Sequence, residues 1–460
     1  MPFLFCVISI LPWIDLEISP QAEANLDFVT IDVFAQDAEG NPVSDLTPRD
    51  FVLRENGKKI VPDWIRLVNA QSSPVETAGN GDITPPEYLI FVTELIPGAL
   101  EAMNEAFVQM QTLLEGLGRD SGYKVFIFSM DHGPITPNFT ADPIQALQYL
   151  NRYRGRMVET WGAEGSLPGE LGFQELEERL QECFNDNLIQ IAARDHTDGY
   201  LNCLEFYHDR FARLQQKRGR AVLKALGHLL ASLENLDGFK HMFFVSPGFA
   251  LYPGKSSAAM AREFYGVTQD RDRIPQIDPS VQSVAPTSRS GFSKKGRASD
   301  SSNTSGTFGL NRSRRQSKDG FRFKIRPLLN DFRHVAHQAM VARVSLHTIQ
   351  LDREEQHRGS KNIHFSTSAG PGNLDLIYAG YEQDLHEGMD TLARFSGGLF
   401  FDRADAERLK RSLTQQRIFY EVGYRPSLKG KRVYREVTLK CRRKGIKLHY
   451  RGGYFPSLNP

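Results

Sequence analysis

Tyr88-Leu89-Ile90-Phe91-Val92-Thr93-Glu94-Leu95-Ile96-Pro97 is the stretch on which the fold turns. Its first half is apolar at every position, with β-branched and aromatic residues, and it ends abruptly in polar residues and a proline. A strand with no polar side suits the middle of a parallel sheet that helices cover on both faces. In an open α/β sheet the ligand crevice lies beyond the carboxyl ends of the strands. Thr93 and Glu94 therefore mark the expected site.

Working outward, helical spacing of Met103, Phe107, Met110 and Leu114 predicts a helix from about Ala99 to Gly116. Tyr123–Met130 reads as a strand, and Thr140-Ala141-Asp142-Pro143 opens another helix with a capping residue before proline. From Arg154 to Lys217 the alternation breaks into a charged segment, helical around Gln174–Cys183 and Leu204–Gln216, which reads as an insertion. The rhythm resumes with a helix at Gly219–Leu236, a stop at Gly238 and the strand His241–Val245, which ends in Ser246-Pro247-Gly248. Residues 254–326 are expected to form a disordered basic loop, since Ser, Gly, Arg and Lys dominate Pro286–Arg322. A helix at Leu328–Arg343, a strand at Val344–Leu351, a helix at Leu385–Ser396, a strand at Leu399–Phe401 and a helix at Ala404–Gln415 complete the pattern. The expected class is α/β, a doubly wound and mostly parallel sheet over residues 86–415.

Both flanks of that block read as β. Residues 25–70 offer a strand around Leu26–Phe34 and turn residues at Asp37–Pro42. Phe51–Glu55 follows as a strand, then a tight-turn signal at Asn56-Gly57 and a returning strand over Lys59–Val68. Residues 69–86, rich in Ser, Pro, Gly and Asn, read as a linker. In the last segment, 416–456, strands are expected at Ile418–Tyr424, Tyr434–Arg442 and Ile446–Arg451. Neither flank is large enough to stand alone. Pairing them into one small β-sandwich, with the α/β block inserted between, removes the edges each would expose.

The bulk numbers exclude more than they assign. The chain has 460 residues with 40% hydrophobic and 24% charged, which is globular composition for two or three domains. A net charge of +1 gives no global field for nucleic acid or a membrane surface. Of 4 cysteines (Cys6, Cys183, Cys203 and Cys441) none forms a Cys-x-x-Cys pair. Cys183 and Cys203 can be bridged in an oxidising compartment or remain two buried thiols. Phe3–Ile14 has the length of a signal-peptide apolar core, and Ala22-Glu23-Ala24 fits the cleavage pattern, although no Lys or Arg precedes the run. Residues 1–24 are read as a signal peptide, which places the product in the periplasm or outside the cell. No other segment approaches transmembrane length.

Several short patterns occur together in one order. They are Val43-Ser44-Asp45-Leu46, Asp50–Gly57, Phe139–Asp142, Gly219-Arg220-Ala221, Lys240–Gly248, Leu392-Ala393, Ser396–Phe400, Tyr420–Pro426 and Arg451–Phe455. With these residues the chain resembles the bacterial von Willebrand factor A-related family of acidobacterial type, and its α/β part resembles a von Willebrand factor type A domain. The resemblance spans nearly the full length, apart from 154–217 and 254–326. It implies a doubly wound domain that binds other proteins, often through a divalent cation at the top of the sheet. The family's cation site uses Asp-x-Ser-x-Ser after the first strand, a Thr from another loop and an Asp after the fourth strand. Here the first loop reads Thr93-Glu94-Leu95-Ile96-Pro97, and Ser246-Pro247-Gly248 stands where the Asp is expected. One carboxylate and two hydroxyls make a poor site for a hard cation that wants octahedral oxygen ligands.

Other constellations reduce to ordinary chemistry. Arg194-Asp195-His196-Thr197-Asp198-Gly199 has ligand residue types but also turn residues. His334 and His337 share a helix face without a third ligand nearby in sequence. There is no Gly-x-Ser-x-Gly and no Walker-type loop, and Pro247 removes a backbone donor beside Ser246. Arg289, Lys294, Lys295, Arg297, Arg312, Arg314, Arg315 and Lys318 make 286–326 a polyanion candidate, diluted by Asp300 and Asp319. The expectation is an exported, non-enzymatic protein–protein interaction module with no cofactor. Thr93, Glu94, Ser246 and Gly248 form its ligand face, and the metal site is degenerate. The competing expectations are a Mg²⁺- or Ca²⁺-dependent adhesion domain and an enzyme of unrecognised class.

Overall fold

The structure is a computed structural model that describes residues 28–69, 86–94, 100–118, 121–161, 173–186, 198–266, 324–351, 374–426 and 434–456. Strands β1 (Val29–Gln36), β2 (Phe51–Glu55), β3 (Lys58–Ile60) and β4 (Trp64–Asn69) come first. The central block begins with β5 (Glu87–Thr93), α1 (Leu100–Leu117), β6 (Tyr123–Ser129), β7 (Gly133–Pro134), α2 (Pro143–Trp161), α3 (Phe173–Asp186) and α4 (Asp198–Ser232). It continues with β8 (Lys240–Ser246), α5 (Lys255–Gly266), α6 (Leu329–Val341), β9 (Val344–Gln350), α7 (Leu374–Ser396), β10 (Phe400–Phe401) and α8 (Ala406–Gln415). Strands β11 (Ile418–Tyr424), β12 (Arg435–Cys441), β13 (Lys447–Tyr450) and β14 (Gly453–Tyr454) follow.

The central sheet has the order β10-β9-β8-β5-β6-β7, parallel except for the antiparallel edge strand β7. The chain winds outward from β5 in both directions, so its path reverses between β5 and β8, and that is where doubly wound sheets open a crevice. Side chains of β5 alternate between two cores. Leu89 and Phe91 pack with Met103, Phe107 and Met110 of α1 and Leu409 of α8. Ile90 and Val92 pack with Leu223 and Leu226 of α4, Phe332 of α6 and Leu392 of α7. Period two feeds both faces, which is why the run shows no polar alternation.

The remaining strands make two four-stranded sheets, β13-β1-β11-β4 and β14-β12-β2-β3. β1 runs antiparallel to β11, with Val29 opposite Tyr424, and β2 runs antiparallel to β12, with Leu53 opposite Leu439. The two sheets share a core of Ile31, Val33, Phe51, Leu53, Tyr420, Val422, Val437 and Leu439. They meet the central block through the Phe34, Phe419 and Phe239 rings and through Arg417, which donates to Glu87 at 2.8 Å. Asn56 and Gly57 both have positive φ (47° and 78°), as the tight turn between β2 and β3 requires.

Four expectations are corrected. The returning strand over Lys59–Val68 is two strands in different sheets: β3 pairs with β2, Pro62 follows, and β4 pairs with β11. Proline supplies no ladder donor, so the chain changes partners there. The helices expected at Leu204–Gln216 and Gly219–Leu236 are one 35-residue helix, α4, so the insertion does not end at 217. Gly219 is not a boundary but a crossing point, because a Cβ there would lie 2.5 Å from Leu328 Cδ1. Close packing outweighs the roughly 1 kcal/mol that glycine costs inside a helix. The stretch 254–326 is not wholly loop, since Lys255–Gly266 is helix α5, with Met260 and Ala261 buried in a core shared with α3, α4 and α7. Helix α7 begins at Leu374 rather than Leu385. The signal-peptide segment 1–24, the linker over 70–85 and the basic residues Arg289–Lys318 lie outside the described residues.

Candidate functional site

Two strand ends and one helix build the polar end of the central sheet. Thr93 is the last residue of β5, and the Glu94 N–H extends the ladder by donating to Val245 O at 2.9 Å. Ser246 ends β8, with its carbonyl accepting from Leu351 N–H at 2.9 Å. These bonds hold the Glu94 and Ser246 side chains together across the switch point. The Ser246 hydroxyl donates to Glu94 Oε2 at 2.5 Å and accepts from Gly248 N–H at 3.0 Å. Gly248 has φ +92°, and a Cβ there would stand 3.1 Å from Leu385 Cβ of α7. Its lack of a side chain lets the loop turn against that helix. The Thr93 hydroxyl is buried and lies 3.5 Å from Phe128 O.

The residue that decides the chemistry was not visible in the sequence. Arg218, on the long helix α4, sends Nε (3.1 Å) and Nη2 (2.9 Å) to Glu94 Oε1. Glu94 is 5% exposed, and the Arg218 side chain is 26% exposed. Both carboxylate oxygens are thus engaged, one by a guanidinium and one by a hydroxyl. The guanidinium supplies the positive charge that a cation would supply. The only side chain that Ser246 Oγ donates to is this engaged carboxylate, and Pro247 offers no N–H beside it. Arg218 sits immediately before the quoted Gly219-Arg220-Ala221, yet its partner is far away in sequence, and only the tertiary path of α4 joins them.

A second polar strand end lies next door. The Tyr153 hydroxyl donates to Ser129 Oγ at 3.0 Å, and Ser129 Oγ accepts from the Asp131 and His132 N–H groups at 3.3 Å. Burial pushes the Tyr153 phenol up to about 12, so it is a neutral donor. Asp131 and His132 are exposed at this rim.

The other sequence candidates have structural partners. Cys183 of α3 is bonded to Cys203 of α4. His334 and His337 clamp Phe455, with ring centroids 4.7 and 5.6 Å away, and Phe455 N–H donates to His337 Nδ1 at 3.4 Å. Residues 194–197 lie outside the described residues, while Asp198 and Gly199 open α4. His208 Nδ1 lies 2.9 Å from Ser257 Oγ, but both are fully buried, and burial lowers the imidazole to about 4. Lys255 Nζ pairs with Asp384 Oδ1 at 2.7 Å. Among the described residues no cluster of three or more His, Cys, Asp or Glu is placed to hold a metal ion. Two surface concavities, about 210 and 500 Å³, lie beside His208 and beside Tyr149, away from Glu94.

Protein-family models, curated proteins and solved structures give no match to this chain.

Proposed function

We propose that this chain is an exported, non-enzymatic protein–protein interaction module. In this reading its α/β part is von Willebrand factor A-like and its cation site has been replaced by an internal ion pair. The Glu94–Arg218–Ser246 arrangement carries the reading, because the carboxylate at the switch point is occupied by protein groups. The Cys183–Cys203 bond supports an oxidising compartment outside the cytoplasm. Among the described residues no helix is long and apolar enough to cross a membrane. The partner is a protein that meets the top of the sheet, including the rim at Asp131 and His132.

The competing reading is a divalent-cation-dependent adhesion domain, favoured by the gathering of Thr93, Glu94 and Ser246 at one sheet end. Thermal unfolding with and without Mg²⁺ or Ca²⁺ separates the two. Unchanged unfolding at low millimolar cation is expected. Reproducible stabilisation that disappears in Glu94→Ala would overturn the metal-free reading. A pull-down from the native envelope fraction, repeated with Asp131→Lys, tests the face. Loss of the captured protein is expected, and undiminished capture would move the binding surface elsewhere.

A further inference from the structure

The lower end of β8 carries a polar cluster that the proposed function does not use. His241 is fully buried beside His347 of β9, with ring centroids 5.8 Å apart and planes inclined at 24°. Gln416, also buried, closes the group from the joint between α8 and β11. Leu399 N–H donates to His347 Nδ1 at 3.1 Å, which assigns the proton of the neutral ring to Nε2. Burial lowers His241 to about 4 and His347 well below the usual range, so both rings are neutral at pH 7. The Gln416 amide lies close enough to both rings to favour their protonated forms. Even so, His241 Nδ1, His347 Nε2, Gln416 Oε1 and Gln416 Nε2 make no hydrogen bond of good geometry to a protein group. Buried polar atoms without partners are rare, and several gathered in one place call for a ligand.

The four atoms define what that ligand is. His347 Nε2–H and Gln416 Nε2–H are donors. Gln416 Oε1 is an acceptor, and so is His241 Nδ1 when its ring carries the proton on Nε2. We propose that these side chains bind one water molecule, which accepts two hydrogen bonds, donates two, and pins the joint between the central sheet and the flanking β-sheets. A metal cation fits less well. Its three protein ligands would all be neutral in a fully buried site, and the charged or titratable groups facing the cluster do not compensate it. These are Glu87 of β5, already paired with Arg417 at 2.8 Å, and His449 of β13.

A high-resolution crystal structure of the full chain tests this directly. One water peak within hydrogen-bond distance of all three side chains is expected. Direct bonding of Gln416 to the rings with nothing between them would overturn the proposal, as would an anomalous transition-metal peak. A solution measurement stands beside it. Gln416→Leu should lower the unfolding temperature, and the triple variant with His241→Phe and His347→Phe should recover part of the loss. A Gln416→Leu protein as stable as the parent would show that the amide holds nothing. A drop in unfolding temperature on chelation, with stoichiometric metal in the untreated protein, would assign the site to a metal instead.

Discussion

The two ends of β8 carry buried polar groups and treat them in opposite ways. At the upper end Ser246, Glu94 and Arg218 satisfy one another, with the carboxylate engaged on both oxygens. At the lower end His241 and His347 lie beside Gln416 with four polar atoms that make no well-formed hydrogen bond to a protein group. A closed ion pair needs nothing from outside, so a cation at the upper end would have to displace a guanidinium. An open neutral cluster depends on what occupies it and on pH. The part of the sheet that resembles a binding site is thus electrostatically finished, and the part that resembles plain core is not.

The largest expected way to break this contrast is acid. Burial holds His241 and His208 at about 4 in the folded chain, against 6.5 unperturbed, so the unfolded chain takes up the protons first as pH falls. Stability contributed by the neutral rings is intact above pH 6.5 and is lost between 6.5 and 4. The loss is about 3 kcal/mol for each of the two rings. Urea midpoints measured from pH 8 to pH 4 check this, and His241→Phe should remove part of the slope. A flat profile would mean that the imidazole end is not the vulnerable one.

Next in size is Arg218→Met, which leaves the Glu94 carboxylate buried without its counter-charge. The expected loss is about 3 kcal/mol by equilibrium denaturation, at the low end for a broken buried pair because the Arg218 side chain is 26% exposed. The double variant with Glu94→Leu should recover most of it. Failure to recover would show that Glu94 serves some further purpose. Ser246→Ala removes one donor to Glu94 and the acceptor of Gly248 N–H, and should cost about 1–2 kcal/mol. The smallest effect sharpens the comparison most. In the Arg218→Met background millimolar Mg²⁺ should stabilise by up to about 1 kcal/mol, while the parent does not respond. Equal responses in both proteins would show that the guanidinium does not stand in for a cation.

The centre of the sheet was legible because one local pattern dictates it: Tyr88–Val92 has no polar face, and both of its faces are buried. The Asn56-Gly57 turn was legible for the same reason, since its positive φ values depend on two adjacent residues. What escaped depends on contacts between distant segments. Gly219 reads as a helix boundary until Leu328 is known to press against it. Lys59–Val68 reads as one returning strand until β3 and β4 are seen in different sheets. At the candidate site Thr93, Glu94, Ser246 and Gly248 were found from strand ends, and the structure brings Glu94, Ser246 and Gly248 into one hydrogen-bonded group. Arg218 could not be found, because nothing in its own neighbourhood marks it as the partner of a carboxylate on another strand.

The pairing of β1 with β11 and of β2 with β12 has a kinetic consequence. Each contact joins segments separated by almost the whole chain. Closing so long a loop costs little more at equilibrium than closing a moderate one, but such contacts slow folding. At ordinary elongation speeds the early strands wait roughly 20–80 s for their partners to be synthesised. Until then β1 and β2 offer unpaired edges, and Lys58 and Lys59 on β3 guard only one side of that hairpin. The central sheet, complete before β11 appears, would gather the two flanks by its own collapse. A fault in its folding would therefore be expressed first as aggregation of the flanking strands, far from the altered residue.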